Sequence, residues 1–234
     1  MTEPKRRLSP LERLYLLGVE GVTEVLLVRH AEQASDISGP VGDFRDPPLS
    51  ERGQEQARLV GEALSAVHLD AVFSSGLQRA LKTAEAIAGH HRLDVQVIED
   101  LREHETFRDL PDDQTALQAL PRELLRGLQA RLLAERTVDV YPYSESSYDF
   151  RKRALNAVEQ AIASQRAERI AIVCHSGVIN IYVSHIMKSP YDLVFGADHT
   201  SISVIAAGDG RRVIRSLNDA KHLQTPDGDL RTMV

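Results

Sequence analysis

The 234-residue sequence has no tryptophan, one cysteine and few aromatic side chains, which make up 5% of the chain. Without tryptophan, a core has to be built mainly from Leu, Val, Ile and Ala, and a hydrophobic content of 42% is ample for one. The single cysteine, Cys174, cannot form a disulfide within the chain, so nothing indicates an oxidising compartment. We therefore expect a globular protein of the cytoplasm.

An excess of basic residues and a long apolar run are also missing. The formal net charge of −6 argues against a general nucleic-acid binder, although it leaves room for a local cationic pocket. No stretch approaches transmembrane length, and the apolar patch from Leu14 to Val19 is too short for a signal segment. We expect neither a nucleic-acid nor a membrane partner, and we interpret residues 1–22 as a short amphipathic N-terminal extension.

Short apolar runs alternate with helical patterns along the rest of the chain, which is typical of an α/β sheet. The predicted strands are Glu24–Arg29, Ala71–Ser74, an edge strand at Val95–Ile98, and Arg169–Cys174. One predicted helix follows Ser50 as its N-cap and places Ala57, Val60, Leu64 and Val67 on one face. Two further predicted helices cover Leu77–Ala88 and Phe150–Ile162. The pattern predicts a three-layer α/β sandwich with a mostly parallel central sheet and helices on both faces.

Two later regions depart from this alternation. Residues 107–147 are polar and interrupted by proline, with one helical pattern near Arg122–Leu133, and we predict an inserted cap over the ligand-binding edge of the sheet. Ser201–Ala207 and Arg212–Ser216 flank Gly208-Asp209-Gly210, a sequence that favours a tight hairpin turn.

Polar residues follow three of the predicted strands. Arg29 and His30 close the first, Arg79 lies just inside the helix after the second, and His175 follows the strand that ends at Cys174. Ligands of α/β sheets bind beyond the carboxyl ends of the strands, so these side chains should converge. Guanidinium groups match phosphate oxygens and a neutral imidazole can act as a nucleophile, so the sequence predicts a phosphate site.

The chain resembles the histidine phosphatase superfamily, also called the phosphoglycerate-mutase-like family. The segments that carry the resemblance are VRHAE at 28–32, PLSERGQEQA at 48–57, FSSGLQRALKTAEAIA at 73–88, IEDLREHE at 98–105, IVCHSGVIN at 172–180 and HTSIS at 199–203. Each is a weak pattern alone. Together they occur in the family's order over almost the whole chain, and residues 23–234 are interpreted as one such domain.

The resemblance implies a role for each matching residue. His30 would take the phosphoryl group as a covalent phosphohistidine. Arg29, Arg79 and His175 would bind the phosphate oxygens and stabilise charge in the transition state. Glu103 would protonate the leaving alcohol and then activate water. The reaction would be phosphate monoester hydrolysis of a small phosphorylated substrate, without a metal or other cofactor.

Some positions depart from the family pattern. Ala31 replaces the usual Gly after the catalytic histidine, and Ser176 replaces a second Gly. Asp36 stands where a phosphate-binding Asn is common, so we expect it to point away from phosphate, or Ser35 to substitute for it. Glu105, two residues beyond Glu103, is an alternative acid.

Other interpretations stay open at the level of sequence. Phosphoglycerate mutase would use the same residues, but residues 31–48 lack the tryptophan-containing pattern of family mutases. A non-catalytic phospho-ligand binder would need neither His30 nor Glu103. Cys174 is interpreted as structural, because Asn180 stands where a cysteine phosphatase needs arginine. His199 could support the pocket, the remaining histidines show no metal-ligand spacing, and a homodimer remains open.

Overall fold

The computed structural model describes residues 7–34, 39–164, 168–226 and 228–232. The helices are α1 (Pro10–Leu14), α2 (Glu51–Leu64), α3 (Gln78–His91), α4 (Ala116–Ala119), α5 (Arg122–Glu135), α6 (Ser147–Ala163) and α7 (Ser176–Met187). The strands are β1 (Thr23–Arg29), β2 (Ala71–Ser74), β3 (Val95–Val97), β4 (Arg169–Cys174), β5 (Ile202–Gly208), β6 (Arg211–Asp219), β7 (Gln224–Thr225) and β8 (Gly228–Asp229).

Six of these strands form one sheet in the order β3-β2-β4-β1-β5-β6. The first four are mutually parallel, and β5 pairs antiparallel with both β1 and β6. Arg29 is level with Cys174, and Ser74 is level with Val173, so the carboxyl ends of β1, β2 and β4 meet at one edge. The prediction of a mostly parallel sheet, with β3 at its edge, is confirmed.

Alternate residues of the central strands face two separate apolar clusters. Val25 and Leu27 of β1 pack with side chains of α6 and α7, whereas Leu26 and Val28 pack with side chains of α2 and α3. Each fully buried side chain of this size stabilises the fold by about 1.5–3 kcal/mol relative to exposure. The two clusters lie on opposite faces of the sheet, so the three-layer prediction is confirmed.

The start of α2 agrees with its predicted cap, and its end does not reach as far as predicted. The Ser50 hydroxyl accepts a hydrogen bond from the backbone N–H of Gly53 at 2.9 Å. The helix ends at Leu64, and Val67 lies in the following turn, where its N–H donates to the Leu64 carbonyl at 2.9 Å. Placing Val67 on the helical face was therefore wrong, although it still packs against the α2–α3 cluster.

Residues 107–147 contain α4 and α5, and α5 confirms the helical pattern near Arg122–Leu133. A third apolar cluster, built on Val41, Leu110 and Leu120, joins this region to the loop before α2. The backbone N–H of Gly42 donates to the Asp112 carbonyl at 3.0 Å, so the two segments are also tied by their backbones. The assignment of 107–147 as a cap stays a prediction.

The predicted hairpin forms between β5 and β6. Asp209 and Gly210 make its turn with positive φ angles of 50° and 67°, a conformation that glycine adopts without steric cost. Before β1, α1 carries a capping box between Ser9 and Glu12, and Arg215 of β6 donates to the Leu16 carbonyl at 3.1 Å. Within the described part of the chain, no helix combines the length and the apolar character needed to cross a membrane.

Candidate active site

His30 lies directly after β1 and is 3% exposed. Its Nδ1 lies 2.7 Å from the carbonyl oxygen of Ala31. A carbonyl can only accept, so Nδ1 carries the hydrogen and Nε2 carries the lone pair. Burial, reinforced by His175 and by the nearby arginines, lowers the pKa of His30 well below 6.5 and keeps the ring neutral. The imidazole is therefore in the form that can attack an electrophile.

Two buried guanidinium groups stand close enough to His30 to repel its protonated form. Arg29 and Arg79 are each 5% exposed. Arg29 donates from Nη1 to the Ala197 carbonyl, and Arg79 donates from Nη1 to the Arg45 carbonyl at 3.2 Å. Burial lowers the pKa of Arg29 to about 10, so the group remains cationic at neutral pH. The pair forms a positively charged pocket beside a neutral nucleophile.

His175 completes this pocket from β4. Its ring centroid lies 4.9 Å from that of His30, and its Nε2 lies 2.8 Å from the Ser75 hydroxyl. His175 is also the N-cap residue of α7, whose positive end favours an anion at this edge of the sheet. Burial lowers the pKa of His175 well below 6.5, with Arg79 acting in the same direction.

Glu103 reaches the same place from the segment after β3. Its Oε2 accepts from the Gly177 N–H at 3.2 Å, and its Oε1 accepts from the His104 N–H at 3.0 Å. Burial lowers the pKa of both Arg29 and Arg79, and the negative charge of Glu103 partly offsets this, which places the carboxylate beside the cationic pocket. The structure thus brings the five predicted residues together, while their roles stay predictions.

The Glu105 carboxylate pairs with two arginines other than Arg29 and Arg79. Its Oε1 accepts from Arg102 Nε at 3.1 Å, and its Oε2 lies 3.6 Å from Arg108 Nη1. These guanidiniums outweigh the effect of burial and lower the pKa of Glu105. A carboxylate held by two arginines is poorly suited to carry a proton to a leaving group, which favours Glu103 as the acid.

Comparison with known proteins agrees with this geometry. The sequence profile described as the histidine phosphatase superfamily (branch 1) matches residues 25–220. The chain belongs to the histidine phosphatase superfamily. The prediction of a phosphatase of this superfamily is confirmed at that level.

Two relatives illustrate the range of names in this superfamily. Phosphoserine phosphatase 1 of Hydrogenobacter thermophilus is 27% identical over 220 residues, covering 86% of this chain and 95% of its own. Phosphoglycerate mutase-like protein 4 of Arabidopsis thaliana is 30% identical over 205 residues, covering 86% and 87%. The crystal structure of phosphoglycerate mutase from Bacillus anthracis superposes with a TM-score of 0.70 at 19% identity, covering 86% and 95%, which shows the shared fold.

In this histidine phosphatase a buried ion pair holds the segment that carries Glu103. Arg153 Nη2 lies 2.6 Å from Glu145 Oε2, with side chains 10% and 3% exposed. The same guanidinium donates to the carbonyls of Asp100, Arg102 and Glu103 at 2.7–3.0 Å. The sequence does not predict this pair, because about 50 residues separate Arg153 from the carbonyls it contacts and no local pattern links them.

The structure also locates other residues that the sequence pointed to. Cys174 is fully buried within the α6–α7 cluster, and burial raises the pKa of its thiol. His199 is buried beside His30, with ring centroids 5.5 Å apart. Ser35 and Asp36 lie outside the described residues. Among the residues that the structure does describe, no three His, Cys, Asp or Glu side chains are grouped to hold a metal ion.

Proposed function

We propose that this histidine phosphatase hydrolyses phosphate monoesters through a covalent phosphohistidine on His30, without a metal ion. The observation that carries the proposal is the hydrogen bond from His30 Nδ1 to the Ala31 carbonyl, which leaves a neutral Nε2 beside two buried arginines. A lone pair on a fixed imidazole, next to cations that attract the phosphoryl oxygens, is suited to nucleophilic attack on phosphorus.

In the first step, the His30 Nε2 lone pair forms a bond to phosphorus as the ester P–O bond breaks. Arg29, Arg79 and His175 bind the phosphoryl oxygens, on which charge is spread in the transition state. Glu103 enters this step as the acid and gives its proton to the departing alkoxide. The products of the step are the alcohol and the phosphoenzyme.

In the second step, the Glu103 carboxylate takes a proton from water as the water oxygen attacks phosphorus. The N–P bond breaks, its electron pair returns to Nε2, and inorganic phosphate leaves. Glu103 is again protonated, so enzyme and protons balance over the cycle. The backbone donors of Gly177 and His104 on the two carboxylate oxygens support a fixed position for this residue.

Hydrolysis is preferred to mutase activity because residues 31–48 lack the family mutases' pattern. The relatives bear both kinds of name, so the distinction has to be measured. We expect inorganic phosphate release with no dependence on a bisphosphoglycerate primer. Mutase activity that requires the primer and exceeds hydrolysis would replace this proposal.

The positive charge that a metal would bring to the phosphoryl group comes here from the guanidiniums of Arg29 and Arg79, both buried in the pocket. We therefore expect excess chelator to leave the rate unchanged, and vanadate, a mimic of the five-coordinate transition state, to inhibit. Loss of activity with chelator, restored by a divalent ion, would contradict metal independence.

The experiment is a screen of phosphate monoesters with the wild-type protein, His30→Ala and His90→Ala. His90 lies in the last turn of α3 on the protein surface, so its replacement controls for the loss of an imidazole as such. We expect turnover by wild type and His90→Ala, and none by a folded His30→Ala protein. Full activity of His30→Ala would end the proposal.

A further inference from the structure

A third buried imidazole, that of His199, lies beside the nucleophile and has no role in the steps above. Its ring centroid is 5.5 Å from that of His30, and the side chain is 2% exposed. Burial lowers the pKa of His199 to about 3, with Arg29 and Arg79 in the same direction and only the Thr232 backbone opposing. Its Nε2 is fully buried and hydrogen-bonds to no described residue. Such an atom in a polar pocket calls for a partner that a ligand would supply.

A neighbouring amide, that of Gln56, contacts the residue that hydrogen-bonds to the His199 ring. The backbone N–H of Glu32 donates to Gln56 Oε1 at 2.8 Å, which fixes that atom as the oxygen. Gln56 Nε2 then donates to the Leu230 carbonyl at 2.8 Å and to the Thr232 hydroxyl at 3.0 Å. The C-terminal segment 230–232 is thereby held against the loop that follows His30.

The Thr232 hydroxyl contacts both this amide and the His199 ring. Its oxygen accepts from Gln56, and the acceptor left for its own hydrogen among the described residues is His199 Nδ1, 2.7 Å away. The Thr232 carbonyl accepts the backbone N–H of His199 at 2.8 Å and keeps a second lone pair that a ring N–H can use. When the Thr232 hydroxyl donates to Nδ1 instead, a neutral ring carries its hydrogen on Nε2, and the unpartnered atom is a donor. We assign this second tautomer, which Thr232→Val tests.

We propose that His199 is a further phosphoryl-binding residue, whose Nε2–H donates to an oxygen of the substrate phosphoryl group, and that segment 230–232 positions it through Thr232. The inference rests on the proposed function. A phosphoryl oxygen is the partner that this donor lacks, and a neutral imidazole adds a hydrogen bond without adding repulsion to Arg29 and Arg79. The C-terminal segment then completes the active site, more than 190 residues after His30.

The first test compares two amides at position 199. The Asn amide reaches about as far as Nδ1, whereas the Gln amide places an N–H near the position of Nε2. We expect His199→Asn to lower kcat/KM for nitrophenyl phosphate and to weaken vanadate inhibition, each about 100-fold, as for loss of one transition-state donor. His199→Gln should recover most of both quantities. A folded His199→Asn protein with wild-type kcat/KM and wild-type vanadate inhibition would overturn the inference.

The second test removes the hydroxyl that sets the tautomer. Thr232→Val should weaken vanadate inhibition severalfold, and Thr232→Ser, which keeps the hydroxyl, should not. In the His199→Asn background, Thr232→Val should have no further effect on vanadate. If His199→Asn fails to fold, this comparison decides: equal vanadate inhibition of Thr232→Val and wild type would overturn the inference. An active His30→Ala protein would refute the proposed function itself. If His30→Ala is inactive but His199→Asn keeps wild-type activity and wild-type vanadate inhibition, only the inference about His199 is refuted.

Discussion

The backbone N–H of Gly177 donates to Oε2 of Glu103 at 3.2 Å, and a side chain at Gly177 would displace this carboxylate. A Cβ built at Gly177 would lie 2.2 Å from Glu103 Oε1, far inside van der Waals contact. The first turn of α7 therefore fixes the carboxylate next to the pocket that His175, at the start of the same turn, helps to form. The acid and the phosphate-binding imidazole are positioned by one backbone segment.

Replacing Glu103 should slow the turnover of substrates with poor leaving groups most, whereas the effect of replacing Glu105 should not depend on the leaving group. A poor alkoxide leaving group needs a proton, whereas nitrophenolate needs little help. We expect Glu103→Gln to impair turnover of alkyl phosphates at least tenfold more than turnover of nitrophenyl phosphate. Glu105→Gln, the matched control, should change both rates equally and little. The reverse pattern in steady-state kinetics would transfer the role of acid to Glu105.

Arg153 should help to position Glu103, because its guanidinium donates to three backbone carbonyls of the segment that carries this acid. Lysine keeps the charge opposite Glu145, but a single ammonium cannot reproduce the planar fork of donors. We expect Arg153→Lys to lower the free energy of unfolding by about 1–3 kcal/mol and to impair alkyl phosphates more than nitrophenyl phosphate.

The matched control is Arg151→Lys on the same helix, whose partner Asp192 otherwise accepts from Thr137, Val138 and Ser147. It should cost stability without changing the ratio of the two rates. If both variants leave that ratio at the wild-type value, Arg153 has a purely structural role.

Cys174 should be dispensable for the chemistry. Burial raises the pKa of its thiol and keeps it a neutral, apolar group in the core. Cys174→Ser should retain most of the activity per folded molecule and lose about 1–2 kcal/mol of stability from burial of a hydroxyl. Thiol-alkylating reagents should react slowly with the native protein. Rapid inactivation that phosphate prevents, together with an inactive Cys174→Ser protein, would argue for a thiol nucleophile.

Buried neutral histidines should make the protein sensitive to acid. Folding lowers the pKa of His30, His175 and His199, so below about pH 6.5 the unfolded chain binds protons that the folded chain does not. Stability should therefore fall as the pH drops below about 6.5, by up to about 1.4 kcal/mol per pH unit for each histidine.

Urea unfolding between pH 5 and pH 8 measures this slope. Replacing His199 with Asn should reduce the slope of stability against pH between pH 5 and pH 6 by the contribution of one proton, about 1.4 kcal/mol per pH unit, because the pKa of His199 is lowered to about 3. An unchanged slope would show that His199 titrates equally in both states.

The sequence predicted the parts of the fold and the site that depend on local pattern. Buried runs such as Arg169–Cys174 are readable because both of their faces are apolar, and His30 and His175 follow such runs directly. The strand order, with β4 between β1 and β2, arises from packing across the sheet and has no local signature. Arg153 and Thr232 were missed for the same reason, since each contacts the site across a long sequence separation.

The covalent phosphohistidine on His30 is tested most directly by trapping it. The protein is mixed with a monoester labelled in its phosphoryl group, quenched within the first turnover and digested. We predict label that is acid-labile and alkali-stable, located on the peptide that contains His30 and absent from His30→Ala. Label on another residue, or equal labelling of His30→Ala, would contradict the account.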